Sequence, residues 1–249
     1  EAVNEWGWRL PFILGGLFGF VTMYLRRWLH ETPVFTEMQE RQQLAEELPI
    51  KTVVKDHLPS VTISMAVTWV LTAAIVVTIL MTPALLQKMA GLDPQQSLEA
   101  NSLAIVALFI GCVISGSLAD RFGNGPIMAI FSVGLAISYA VFFSLMLNDT
   151  SLLFVLYPVV GFFAGLVGVV PSIAVKSFPA AIRFTGLSFS YNLAYAIFGG
   201  TTPLVVSMLL GYNPLAPVYY VSAVALIGVI ASLAVIRFRR QLDLSPLPA

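Results

Sequence analysis

Apolar residues run through this sequence in long stretches, each closed by a charge or a turn. Seven of them approach the roughly 20 residues that a helix needs to cross a bilayer. Five are Leu10–Leu25, Leu58–Gln87, Asn101–Ala119, Phe122–Asn148 and Thr150–Val175, and two more lie within the charge-free run Phe184–Ile236. That run is too long for one helix. It breaks at Gly211-Tyr-Asn-Pro214-Leu-Ala-Pro217, where a glycine and two prolines interrupt the pattern. Helices are therefore expected near Leu187–Leu210 and Val218–Ile236. The first stretch is short, but Met23-Tyr24 and Trp28-Leu29 extend its apolar surface while Arg26 and Arg27 snorkel to the interface. It has no nearby cleavage motif and too many flanking aromatics to be a signal peptide. The pattern predicts an all-α, polytopic membrane protein with seven transmembrane helices.

Composition supports this. Of 249 residues, 13 are Lys or Arg and 13 are Asp or Glu, so one residue in ten is charged. Soluble domains carry about a quarter, and a water-soluble enzyme is excluded on that ground. Zero net charge leaves no basic face for nucleic acid. A lone Cys112 and two histidines allow no internal disulfide and no zinc constellation. No metal or cofactor is expected.

The cations are unevenly placed. Eleven of the thirteen, from Arg26 to Arg240, fall in alternate loops, and only Arg9 and Lys88 fall on the other side. Positive loops face the cytoplasm, which places the C-terminus there and the N-terminus outside. The segment Glu31–Asp56 is polar and helix-prone, a solvated cytoplasmic connection between one helix and the following six. An external N-terminus beginning at Glu1 without a signal sequence leads us to expect further spans or a processed segment before it.

No Asp, Glu, Lys or Arg lies in the middle of any stretch, so if the protein couples to protons the titrating group lies elsewhere. The remaining polarity is neutral and striped. From Ser188, the residues Tyr191, Asn192, Tyr195, Gly199 and Thr202 fall within about a 100° arc of a helix. Such a stripe is costly against lipid and must face protein or a water-filled cavity. Both readings stay open: the wall of a substrate cavity, or hydrogen bonding between helices. Thr68, Thr72, Thr78 and Thr82 share an arc of about 120° beside Trp69, and line a cavity or bond back to their own helix. Tyr157 shares about 80° of arc with Gly161, Gly165, Gly168 and Ser172, a small-residue spacing that favours close helix packing. The candidate cavity residues are thus Thr68, Trp69, Thr72, Tyr157, Ser188, Tyr191, Asn192 and Tyr195. Pro83, Pro158, Pro171 and Pro203 should kink or end their helices.

Two loop motifs suggest a gate. The turn Gly116-Ser117-Leu118-Ala119-Asp120-Arg121-Phe122-Gly123 sets an acid beside a base between two glycines. On the same side lies Phe178-Pro179-Ala180-Ala181-Ile182-Arg183-Phe184-Thr185-Gly186. Asp120 is expected either to pair with Arg183 or to rest against the positive end of the helix beginning near Thr185. The alternative is an ordinary interfacial charge. Gly116, Asp120, Arg121, Gly123 and Arg183 are the gate candidates.

The turn resembles the signature between the eighth and ninth helices of the major facilitator superfamily. Trp6-Gly7-Trp8-Arg9-Leu10-Pro11-Phe12, Glu31-Thr32-Pro33-Val34-Phe35, the Phe178–Gly186 stretch, and Tyr191-Asn192-Leu193-Ala194 through Phe198-Gly199-Gly200-Thr201 are similar, in order, to its metabolite:proton symporter family. The resemblance implies a C-terminal fragment, helices six to twelve of twelve. Residues 1–30 would be the last helix of an incomplete N-terminal bundle, 31–57 the central linker, 58–240 a six-helix bundle and 241–249 a cytoplasmic tail. It also implies a bacterial inner-membrane protein that carries a small organic acid or osmolyte with a proton by alternating access. Its partners would be a small-molecule substrate, the lipid bilayer and the missing N-terminal bundle. Two features depart from the family: Asn124-Gly125 replaces a basic pair after the turn, and Ala180-Ala181 replaces a polar-basic pair. Two other readings compete: a decayed remnant without activity, and a seven-helix receptor. A retinal protein is excluded, because Val218–Ile236 holds no lysine for a Schiff base.

Overall fold

The computed structural model describes residues 6–25 and 49–238. The expectations for Arg26, Arg27, the polar stretch 31–48 and the tail from 239 concern residues outside these. Among the described residues there is no strand. The chain divides into two compact units, Glu1–Leu44 and Ala45–Ala249. In the first, a 3-10 turn at Gly7–Arg9 leads into α1 (Leu10–Leu25), sixteen residues without a charge.

The second unit opens with a short helix, α2 (Pro49–Asp56), followed by six helices long and apolar enough to cross a membrane. These are α3 (Leu58–Met89), α4 (Pro94–Phe122), α5 (Asn124–Met146), α6 (Leu153–Lys176), α7 (Ala180–Leu210) and α8 (Ala216–Phe238). The helix α4 begins seven residues before the apolar stretch predicts. Asp93 caps it, its Oδ2 accepting from the amides of Gln95 at 2.9 Å and Gln96 at 3.3 Å, with Pro94 in the first turn. A cap on a polar turn carries no hydrophobic signal, so counting apolar residues misses it. Between α5 and α6, the Ser151 amide donates to Asp149 Oδ1 at 2.9 Å and holds that carboxyl below its ordinary range.

Three of the long helices are not uniformly α. Val76–Met81 in α3 and Tyr195–Gly199 in α7 are π-helical, and Gly165–Gly168 in α6 is 3-10. Each precedes a proline. Proline offers no N–H and its ring crowds the carbonyl four residues back, which is Ile79 for Pro83, Gly199 for Pro203 and Val167 for Pro171. All three crowded carbonyls lie in the irregular turns, so the helix absorbs each proline by changing pitch instead of ending.

Glycines set the closest contacts. A Cβ on Gly165 of α6 would lie 2.6 Å from Cys112 N of α4, and one on Gly168 would lie 2.7 Å from Cys112 O. Gly161 meets the backbone of Ala104 in the same way. The small-residue stripe of α6 therefore packs backbone to backbone on α4, and Ser115 Oγ donates across the seam to Gly165 O at 2.8 Å. Between α5 and α8, Gly228 lies against Ser132 Oγ and Gly125 against Ile236. The most buried helix is α3, which packs on α6, α7 and α8. The core beside it holds Tyr139, Phe142, Phe143, Tyr157 and Met146, all fully buried.

Candidate functional site

The helix α7 has two different faces. Gly186, Ser190 and Ala194 are buried, and Ser190 Oγ meets Ser64 Oγ of α3 at 2.7 Å. Ser188, Tyr191, Asn192 and Tyr195 project from the other side. The rings of Tyr191 and Tyr195 lie 4.9 Å apart at 45°. Asn192 is exposed, and its Nδ2 donates to Ser188 O at 2.7 Å. Among the described residues, no hydrogen bond joins Ser188, Tyr191, Asn192 or Tyr195 to another helix. A polar face within a membrane span that points away from its own bundle still needs protein or water against it.

The α3 and α6 candidates sit differently. Thr68 and Thr72 are fully buried, and their hydroxyls donate to the carbonyls of Ser64 at 2.7 Å and Thr68 at 2.8 Å. Their polarity is thus satisfied within α3 itself. Trp69 is half-buried; its Nε1 donates to Tyr220 Oη of α8 at 2.9 Å. Its ring stacks on Phe198 of α7, with centroids 4.1 Å apart and planes 4° apart. Tyr157 is fully buried and stacks on Phe142 at 4.7 Å. Its hydroxyl lies 2.8 Å from Thr78 O and 2.7 Å from Asn101 Oδ1. The structure therefore gathers Ser188, Tyr191, Asn192 and Tyr195 on one face and sets Thr68, Thr72 and Tyr157 inside the bundle.

The charged turn is built as follows. Gly123 has φ +94°, a conformation that L side chains rarely adopt, and it joins α4 to α5. Gly116 has open space around it. Asp120 and Arg121 are exposed, and the Arg121 guanidinium lies 5.3 Å from the Phe122 ring centroid. The Asp120–Arg183 ion pair is absent: Arg183 Nε instead donates to Phe178 O at 3.2 Å, within its own motif. Asn124, where the family resemblance leads one to expect a base, donates from Nδ2 to Ser172 Oγ of α6 at 2.9 Å. Gly125 lets the Ile236 side chain of α8 close in. The turn is thus tied down by an amide and by packing, without charge pairing.

Several residues that matter here carried little sequence signal. Phe178 is buried with Val53 of α2, Val61 and Ile182, and its ring fills the space a Cβ on Gly186 would need. The eight-residue spacing of Phe178 and Gly186 thus sets the ring against the glycine, while Arg183 Nε holds the Phe178 carbonyl. Thr202 and Tyr220 form a 2.6 Å contact between α7 and α8. A separate apolar groove of about 320 Å³ lies between α5 and α6, lined by Gly134, Ile137, Ser138, Val141, Leu156, Val159 and Phe163. None of the polar stripe borders it.

Comparison with known proteins places this architecture. The chain is 29% identical over 233 residues to a putative proline/betaine transporter of Staphylococcus aureus (strain COL), covering 92% of this chain and 50% of that protein. It is 30% identical over 239 residues to a citrate-proton symporter of Klebsiella pneumoniae, covering 93% and 53% respectively. With a glycine betaine/proline/ectoine/pipecolic acid transporter of Dickeya dadantii it shares 29% over 249 residues, 94% of this chain and 49% of the relative. The chain spans about half the length of the curated relatives it matches. No solved structure matches. A family model, Major Facilitator Superfamily, matches residues 2–191. With that match over well over half its length, and with its membrane-length helices, the chain is a multi-pass membrane protein that belongs to the Major Facilitator Superfamily.

Proposed function

We propose that this chain is the C-terminal portion of a secondary active transporter that carries a small organic acid or osmolyte together with a proton by alternating access. The observation that carries this reading is the polar face of α7. Ser188, Tyr191, Asn192 and Tyr195 point away from the bundle, where a solute or a second bundle must meet them. The relatives, a putative proline/betaine transporter and a citrate-proton symporter, suggest the substrate classes and the coupling ion. The missing partner is the N-terminal bundle, which would close the cavity from the other side.

The chemistry of this face favours a cationic or zwitterionic solute. It offers two phenol rings and an amide but no formal charge, and an alkylated ammonium binds well against an aromatic face. A carboxylate would find its cation, and the proton its titrating group, in the other half. The charge asymmetry of the loops supports a cytoplasmic C-terminus, and the bacterial sources of the relatives support an inner membrane.

Uptake of labelled glycine betaine, proline and citrate into proteoliposomes tests the reading, using the whole transporter with this chain as its C-terminal part. We expect accumulation of at least one of them under an inward proton gradient, and its collapse with a protonophore. Absence of uptake for all three would remove the substrate reading. Uptake indifferent to the gradient would remove proton coupling.

A further inference from the structure

Both π-turns answer a proline, but they are held in different ways. In α3 the turn is internal: Val77, Thr78 and Ile79 are buried. Its carbonyls are occupied by hydroxyls, Thr82 Oγ1 donating to Val77 O at 2.8 Å and Tyr157 Oη lying 2.8 Å from Thr78 O. Thr82 Oγ1 also meets Tyr139 Oη at 3.0 Å. Residues from three helices therefore fix that turn. In α7 the turn Tyr195–Gly199 contains no buried residue. Thr201 Oγ1, its own neighbour, reaches back to Ile197 O at 2.6 Å.

Among the described residues, the ring contact that reaches the α7 turn from another helix comes from one side chain of α3, backed by the groups that side chain touches. The Trp69 ring lies flat on Phe198, inside the turn, while its N–H donates to Tyr220 Oη of α8. Tyr220 Oη in turn meets Thr202 Oγ1 at 2.6 Å, three residues past the turn and next to Pro203. Thr202 is fully buried and Tyr220 partly so, which leaves this contact partly enclosed. An indole nitrogen is a donor only. The one polar atom of Trp69 is thus spent on Tyr220, and one ring face is spent on Phe198.

We propose that Trp69, acting with Tyr220 and Thr202, is a positioning residue for transport: it sets the pitch of the α7 π-turn and thereby the orientation of Tyr195 and Tyr191 beside it. A π-turn has two nearby alternatives, reversion to α or displacement by a residue along the helix. A turn without buried anchors needs an outside contact to choose between them. Trp69 supplies it from α3, whose own π-turn is fixed. This role rests on the reading of the α7 stripe as a cavity wall.

Two arms test it, one independent of any solute. In the first, amide hydrogen exchange is followed in the transporter held in nanodiscs. Trp69→Phe keeps a stacking face and loses the N–H; Tyr220→Phe and Thr202→Val break the other contacts. Each should raise exchange in residues 196–203 about fivefold, the loss of roughly one hydrogen bond, with 76–81 unchanged. Trp69→Phe combined with Tyr220→Phe should add little to either alone. Unchanged exchange in 196–203, or additive effects, would overturn the latch.

The second arm is glycine betaine uptake. It should show a several-fold lower kcat with KM within about twofold. A raised KM at constant kcat would mean that Trp69 touches the solute itself, and would overturn the positioning role. If the unaltered protein takes up no glycine betaine, the transport reading of that solute fails, while the exchange arm still decides the latch. Membrane levels of each variant, measured by an epitope tag, separate misfolding from either outcome.

Discussion

Gly165 of α6 lies against the backbone of Gly111 of α4, so close that a Cβ on Gly165 would sit 2.6 Å from Gly111 Cα. No side chain can be inserted there without separating two helices. Gly165→Ala should destabilise the bundle by about 1–3 kcal/mol, the usual cost of overpacking. Gly116, on the same helix as Gly111 but with open space around it, is the control: Gly116→Ala should leave thermal stability nearly unchanged. Melting of the detergent-solubilised protein checks both, and equal losses would mean that the α4–α6 contact is looser than described.

Ser64 and Ser190 make a buried hydroxyl contact of 2.7 Å between α3 and α7. Hydrogen bonds between membrane helices average about 0.6 kcal/mol. Ser190 can also donate to Gly186 O at 2.7 Å, so its own helix can take over part of the bond. A double-mutant cycle of Ser64→Ala and Ser190→Ala should therefore give a coupling of about 0.5 kcal/mol. A coupling near zero would mean that the two hydroxyls do not hold the helices together.

Tyr157→Phe keeps the stacking on Phe142 and removes only the oxygen near Thr78 O and Asn101 Oδ1. The variant should lose about 1–2 kcal/mol, because a buried π-turn carbonyl and an amide lose their partner. Faster amide exchange in 76–81 should accompany the loss. A neutral substitution would show that Thr78 O is satisfied without Tyr157.

Asp120 and Arg183 do not pair in this structure, since Arg183 Nε donates to Phe178 O. Asp120→Asn and Arg183→Gln should therefore be additive in thermal stability, with a coupling below about 0.3 kcal/mol. A larger coupling would reinstate an ion pair between the two motifs.

The membrane-length helices were legible because each contains a charge-free apolar run, and the α6 glycines because small residues four apart signal close approach. The start of α4 was not legible, because the Asp93 cap lies outside the apolar stretch. The π-turns were half legible. Pro83 and Pro203 announce a disturbance, but whether a helix kinks, ends or widens depends on which neighbours can satisfy the displaced carbonyls. Thr82 and Tyr157 do so in α3, and Tyr157 lies 79 residues from the carbonyl it serves. Periodicity put Thr68, Thr72, Tyr191 and Asn192 on polar stripes alike. It is burial that divides them: Thr68, Thr72 and Asn192 all bond back to their own helix, but the threonines are fully buried and Asn192 is exposed. Tyr220 belongs to no polar stripe picked out along α8, and its importance comes from partners 151 and 18 residues away.

The central claim is that the outward face of α7 meets the transported solute. Proton-driven uptake by the whole transporter, measured for Asn192→Ala and Tyr195→Ala against the unaltered protein at matched membrane levels, tests it most directly. Each substitution should lower kcat/KM about tenfold or more, the loss of one specific contact, while the protein remains folded because neither side chain is buried. Uptake at undiminished kcat/KM in both variants would contradict the claim and leave the stripe a surface for another helix.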